Sequence, residues 1–188
     1  MKKKLTVILS FLLLVSSIAW LIVEGTKPET LPIGSKLPRI NCLTFGGNKT
    51  IISDSLNKTL IIFFSKDCPH CKYELSVLDE NIEKIDDTKI YLITTNKDYL
   101  QSEDIKVYNA LLQNANVIFG IVDKDEYNTK YGSNVTPTLY FFNKAGNLSA
   151  KIKGETKWER ILKELRVSDG AQHRDSGINK SSLAVGHY

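Results

Sequence analysis

The sequence predicts an α/β domain built on a central mixed β-sheet with helices on both faces. Three observations point there. Short apolar runs alternate with stretches whose apolar residues recur at helical spacing. One run, Leu60-Ile61-Ile62-Phe63-Phe64, is apolar at every position, the pattern of a strand covered on both sides. The last two strand-like runs are separated only by Lys144-Ala145-Gly146-Asn147, which suits a turn, whereas helical stretches separate the middle ones.

Length and charge narrow the function. The chain has 188 residues, of which 42% are hydrophobic and 24% charged, an ordinary globular composition with room for one full-sized domain. The formal charge is +4, and Lys2, Lys3 and Lys4 supply most of that excess. The remainder is nearly neutral, so a pI near 8.8 does not point to a nucleic-acid partner.

Those lysines precede Leu5 to Val23, a run without a charged residue. As a helix it would extend about 28 Å at 1.5 Å per residue, close to the thickness of a bilayer core. Residues 1–24 therefore read as a membrane anchor, with a cleavable signal peptide as the alternative; Ser17-Ile18-Ala19 is a poor cleavage site because the apolar run continues beyond it. Lysines on one side and Glu24 on the other orient the anchor with its N-terminus in the cytoplasm. The expected location is a bacterial cell membrane, crossed once, with the bulk of the chain outside the cytoplasm.

Residues 25–36 carry Pro28, Pro32 and Gly34 and read as a linker. Residues 37–166 form the expected domain, and residues 167–188, rich in Ser, Gly, Asp, Asn and His without apolar period, read as a disordered tail. Within the domain, Ile40 to Phe45 and Thr50 to Ile52 flank Gly46-Gly47-Asn48 as a β-hairpin. The Leu60 strand leads into a helix with a stripe of Cys71, Leu75, Leu78, Ile82 and Ile85. Ile90 to Thr95 is the next strand, Asp98 to Gln113 a helix through Ile105, Tyr108, Leu111 and Leu112, and Val117 to Val122 a strand. A short helix over Asp125 to Tyr131 precedes strands at Thr138 to Phe142 and Leu148 to Ile152. The last helix carries Trp158, Ile161, Leu162 and Leu165 on one face.

The chain has three cysteines, Cys42, Cys68 and Cys71. The last two are spaced CxxC, and a loop so short removes little chain entropy, so the pair suits redox chemistry better than stapling. Cys68-Pro69-His70-Cys71 falls where the apolar strand ends and the helix begins. Unpaired N–H groups and the positive end of the helix dipole stabilise a thiolate at Cys68, and Pro69 suits the first helical turn. Cys68 is thus the expected nucleophile. Cys71 opens the apolar stripe, faces inward, and is placed to resolve a mixed disulfide. Half of a zinc site is disfavoured because no second CxxC or suitably spaced Cys/His pair exists. Cys42, on the first strand, reads as a small buried hydrophobe.

With these motifs the chain resembles the thioredoxin superfamily, and within it the TlpA/ResA-like membrane-anchored thiol–disulfide oxidoreductases. The resemblance rests on the CxxC after a buried strand, Glu74 in the pattern CxxCxxE, Val135-Thr136-Pro137-Thr138 opening a strand as a cis-proline loop does, and the βα unit between them. It implies a thioredoxin-like fold with an N-terminal β-hairpin and an inserted βα unit. A cis bond before Pro137 would expose the backbone at Thr136 for pairing with an extended substrate. By resemblance, Pro137 lies against Cys68 and Glu74 serves Cys71 as proton acceptor, a step the less acidic thiol needs. His70 gives the dipeptide Pro-His of DsbA-like oxidases, whereas the scaffold resembles reductases, so the direction of electron flow stays open. The family's Trp before the first cysteine is absent; Ser65-Lys66-Asp67 stand there.

The expected function is thiol–disulfide exchange with cysteine pairs of exported proteins, without a bound cofactor and with a membrane redox partner to reset the cysteines. Two alternatives remain. A peroxiredoxin-like peroxidase would carry PxxxTxxC, in which Ser65 can replace Thr but Ile61 stands at the proline. A carrier of Cu(I) or another metal would use Cys68, Cys71 and His70, since soft thiolates favour Cu(I).

Overall fold

The computed structural model describes residues 12–20, 30–53, 57–99, 103–133 and 135–170. The apolar runs form strands β1 (Ile40–Thr44), β2 (Lys49–Ile52), β3 (Lys58–Phe63), β4 (Thr88–Thr94), β5 (Val117–Val122), β6 (Thr138–Phe142) and β7 (Leu148–Lys153). They make one sheet in the order β2-β1-β5-β4-β3-β6-β7. β4 pairs in parallel with β3 and β5, and the remaining pairings are antiparallel. The sheet is therefore mixed, as the sequence predicts, and its parallel part lies at the centre.

Four α-helices of the described domain are α1 (Pro69–Asn81), α2 (Asn109–Gln113), α3 (Lys124–Tyr131) and α4 (Trp158–Gly170). Every residue of β3 is buried because the strand is covered on both faces. Leu60, Ile62 and Phe64 pack with Cys71, Leu75 and Leu78 of α1, Leu111 of α2 and Ile161 and Leu165 of α4. Ile61 and Phe63, pointing the other way, pack with Tyr127 and Tyr131 of α3. Phe63 stacks on Tyr127 with ring centroids 3.8 Å apart, and Tyr127 shares a 2.9 Å hydrogen bond with Tyr140. The α3 start is fixed by Asp123, whose carboxylate accepts from the N–H groups of Asp125 and Glu126.

The segment expected as one helix from Asp98 to Gln113 is not continuous. Among its described residues, a 3₁₀ turn at Glu103–Ile105 is followed by the short α2. Ile105, Tyr108 and Leu111 are still buried, so the apolar stripe is met by two pieces. The break at Tyr108 is stabilised from α1: Asp79 accepts from the N–H of Leu111 at 2.8 Å, replacing a bond that a longer helix would supply internally.

The chain divides into two units, Met1–Thr30 and Leu31–Tyr188. In the first, residues 12–20 are helical, and the rest of the expected anchor at residues 1–24 lies outside the described residues. Among the described residues no helix is long and apolar enough to cross a membrane. In the second, the ordered fold begins before residue 37: Leu31 is buried, Gly34 N–H donates to Leu148 O, and Leu148 N–H donates to Ser35 O, both at 2.8 Å. The end of the expected linker at residues 25–36 thus adheres to the start of β7. At the other end α4 continues past Arg166 to Gly170, and the rest of the expected tail lies outside the described residues.

Candidate active site

β3 delivers the chain directly to α1, and Cys68 is the residue that caps that helix. Its φ and ψ of −87° and 114° are extended, Pro69 follows in the first turn, and Lys72 N–H closes the first intrahelical bond on Cys68 O at 3.2 Å. The thiol forms no capping hydrogen bond of conventional geometry. The amide groups of His70 and Cys71 nonetheless act on the sulfur, together with the Cys71 thiol and the Thr136 side chain. Burial opposes ionisation of Cys68 and is the largest single influence, but those donors together outweigh it and lower the Cys68 pKa below the ordinary thiol value.

Cys71 has the opposite character. It is 1% exposed, within the core formed by Phe64, Leu75, Tyr99 and Tyr108. Burial, reinforced by the neighbouring Cys68, pushes its pKa up to about 12, against a 3.4 Å hydrogen bond from Ser65 N–H that pulls it down. All three cysteines are free thiols, and the Cys68 and Cys71 side chains lie within hydrogen-bonding reach of one another. One end of the pair is therefore easily ionised and accessible, while the other is buried and held protonated.

The loop before β6 closes over this pair. The Thr136–Pro137 peptide is cis, and Cys68 Sγ lies 3.5 Å from Thr136 O. The pairing of Phe63 with Thr138 fixes this approach, because it sets the end of β3 beside the start of β6. Thr138 is buried, its hydroxyl donating to Val135 O at 2.6 Å and bonding Ser133 Oγ at 3.1 Å, which stiffens the loop from behind.

Glu74, one turn beyond Cys71, is completely buried. Its Oε2 accepts from Thr156 N–H at 2.8 Å, and its Oε1 has no hydrogen-bond partner. Burial raises its pKa to about 7. A carboxyl group so tuned can take a proton near neutral pH, and it shares the buried face of α1 with Cys71. His70 faces solvent, where its Nδ1 lies 2.8 Å from Glu155 Oε2. Lys66, two residues before Cys68, pairs with Asp104 at 3.5 Å.

The structure thus brings together Cys68, Pro69, His70, Cys71, Glu74, Thr136 and Pro137. It adds Glu155 and Thr156 from the β7–α4 loop, which the sequence reading did not single out. Their signal is indirect. β7 pairs with β6 so that Lys153 faces Thr138, and the residues just after Lys153 must then lie beside those just before Thr138. Cys42 stands apart on β1, buried, with its pKa pushed by burial up to about 11. Among the described residues no cluster of three or more His, Cys, Asp or Glu is arranged to hold a metal ion.

Residues 49–167 match the family model described as a thioredoxin-like domain. No curated protein sequence matches the chain. Solved structures share the fold at low identity. A peroxiredoxin-like protein from Aquifex aeolicus has a TM-score of 0.62 at 16% identity, covering 76% of this chain and 90% of that one. The thioredoxin domain of a thiol-disulfide oxidoreductase from Bacteroides vulgatus has a TM-score of 0.58 at 20% identity, covering 72% and 99%. A thiol:disulfide interchange protein from Bacteroides sp. has a TM-score of 0.56 at 20% identity, covering 77% and 97%.

Proposed function

The chain belongs to the thioredoxin-like family, and from that premise we propose that it is an extracytoplasmic thiol–disulfide oxidoreductase acting on cysteine pairs of exported proteins through Cys68-Pro69-His70-Cys71. One observation carries this reading: an accessible thiol of lowered pKa caps α1 against the backbone of Thr136, with a buried thiol of raised pKa directly behind it. That asymmetry gives each sulfur one role.

In the reductive direction the Cys68 thiolate attacks one sulfur of a substrate disulfide, forming a mixed disulfide and releasing the other substrate sulfur as a thiolate, which takes a proton. A substrate segment lying extended along Thr136 would present its cysteine to Cys68. Glu74 then accepts the proton of Cys71, and the new thiolate attacks Cys68 Sγ. The Cys68–Cys71 disulfide forms as the Cys68–substrate bond breaks, and the released thiolate recovers the proton from Glu74, so the substrate leaves as a dithiol. The reverse sequence oxidises a substrate dithiol. The two electrons pass from one pair of thiols to the other as disulfide bonds exchange, so the cycle needs no bound cofactor. A membrane redox partner returns the pair to its starting state, and residues 5–23 hold the domain at the outer face of the membrane.

Equilibration of the full-length chain with defined ratios of reduced and oxidised glutathione, followed by alkylation of remaining thiols, tests the reading. Two thiols should disappear together while Cys42 stays alkylated at every ratio. A chain that forms no internal disulfide under oxidising conditions, or that forms it through Cys42, contradicts it.

A further inference from the structure

The β7–α4 loop touches three parts of the candidate site within three consecutive residues. Gly154 N–H donates to Pro137 O, the Glu155 carboxylate pairs with His70 Nδ1, and Thr156 N–H donates to Glu74 Oε2, each at 2.8 Å. Gly154 has a φ of +86°, and the turn it makes directs the chain from β7 back across the start of α1. An exposed ion pair ordinarily contributes little because both side chains must be ordered to form it. Here the backbone on either side of Glu155 is tied down, so the carboxylate is delivered to one place.

We propose that Glu155 is a positioning residue for the redox couple, holding His70 beside the start of α1 as an imidazolium, so that the Cys68 thiolate is stabilised and the Cys68–Cys71 disulfide is a stronger oxidant above neutral pH. The inference rests on the oxidoreductase reading above and names what tunes it. The groups acting on the His70 charge are Glu155 from the β7–α4 loop and Cys68 from its own helix start, and both favour the protonated ring. Of the nearby cations, Lys66 is engaged by Asp104 and Lys72 follows Cys71 on α1. Burial and, with it, Glu155 raise the pKa of Glu74 behind the site. The Cys68 sulfur favours the protonated His70 ring, and the His70 backbone N–H lowers the Cys68 pKa. His70, two residues into the helix that Cys68 caps, supplies the positive end of the His70–Glu155 pair there. Without Glu155, a histidine of ordinary pKa is mostly neutral above pH 7, and that positive end is lost.

The couple balances as follows. The disulfide and two glutathione thiols give a Cys68 thiolate, a Cys71 thiol, one glutathione disulfide and one proton; the Cys68–Cys71 bond breaks, and glutathione is oxidised by two electrons. Stabilising the thiolate draws this reaction toward the reduced protein.

The test is the same glutathione equilibrium on full-length wild type, Glu155→Gln, Glu155→Asp, His70→Ala and the double variant His70→Ala/Glu155→Gln, with the His70 titration followed by NMR. At about pH 7.5, Glu155→Gln should shift the equilibrium about threefold toward the disulfide, or about 14 mV, since tenfold is 29.6 mV for two electrons. The His70 midpoint should fall, and Glu155→Asp, which keeps the charge, should recover part of both. At about pH 5.5, where the ring is protonated with or without Glu155, the shift should vanish or reverse. In the His70→Ala background, Glu155→Gln should have no effect or the opposite one, because only a negative charge is removed. An unchanged equilibrium in Glu155→Gln at pH 7.5, or an equal shift with His70 absent, overturns the proposal alone. Failure of the wild type to equilibrate at all overturns the oxidoreductase reading and this inference with it.

Discussion

Cys68 Sγ and Thr136 O lie 3.5 Å apart although 68 residues separate them in the chain. β3 and β6 produce that contact by pairing Phe63 with Thr138, so the helix cap that follows one strand meets the cis-proline loop that precedes the other. The Thr136 side chain lowers the pKa of both Cys68 and Cys71. Thr136→Val removes that hydroxyl while keeping its shape. The Cys68 midpoint should rise, as expected for loss of one donor to a charged group. Thiolate ultraviolet absorbance against pH measures it, and an unmoved midpoint removes Thr136 from the account.

Glu74 makes both a kinetic and a stability prediction. Its carboxyl pKa is raised from 4.5 to about 7 in the folded protein. A raised value means that its stabilising contribution is complete below about pH 4.5 and is lost as pH rises through about 7. Glu74→Gln keeps the acceptor for Thr156 N–H and removes the charge. The variant should match wild type near pH 4.5 and exceed it near pH 8 by on the order of 2 kcal/mol after allowance for solvent screening. Resolution of the mixed disulfide by Cys71 should slow about 100-fold, the usual contribution of one proton acceptor. Thermal melts at the two pH values and quench-alkylation kinetics check these outcomes; equal melts at both would show that Glu74 carries no charge to lose.

Gly120 is required by Cys42. A Cβ at Gly120 would sit 2.0 Å from Cys42 Sγ and 3.2 Å from Leu43 O. Gly120→Ala should therefore cost about 1–3 kcal/mol through overpacking of the β1–β5 pair, which joins Thr44 to Gly120 and Cys42 to Val122. Cys42→Ala in the same chain should recover much of that loss, because the sulfur is the nearer obstacle. Denaturant midpoints of the two single variants and the double give the coupling, and simple additivity would contradict the contact.

The proposed anchor predicts that the mature protein retains its N-terminal lysines and stays with membranes through a high-salt wash, since insertion does not depend on surface charge. N-terminal sequencing of the membrane fraction decides it. A mature chain beginning near Trp20 in the soluble fraction would mean that the segment is a cleaved signal.

Much of the fold is legible because β3 is apolar throughout and α1 carries a stripe at helical spacing; both patterns report burial directly. The interruption between Ile105 and Tyr108 is not legible, since apolar periodicity continues across it while the bond that closes it comes from Asp79 on another helix. The cysteine motif and the proline loop can be read as local strings. Glu155 and Thr156 cannot, because their role depends on the β6–β7 register, and that register shifts between Phe141 and Phe142. A hairpin count without the irregularity would misplace the loop by a residue and turn the wrong side chain toward His70.

In the proposed cycle Cys68 attacks and Cys71 resolves, and mixed-disulfide trapping in intact cells tests these roles most directly. Full-length Cys71→Ser and Cys68→Ser chains are compared on non-reducing gels after acid quenching. Cys71→Ser should accumulate reductant-sensitive adducts with partner proteins, because its accessible thiol of lowered pKa remains while the resolving sulfur is gone. Cys68→Ser should accumulate almost none, its remaining thiol being buried and protonated. Equal trapping by the two variants, or trapping by Cys68→Ser alone, would contradict the assignment of roles.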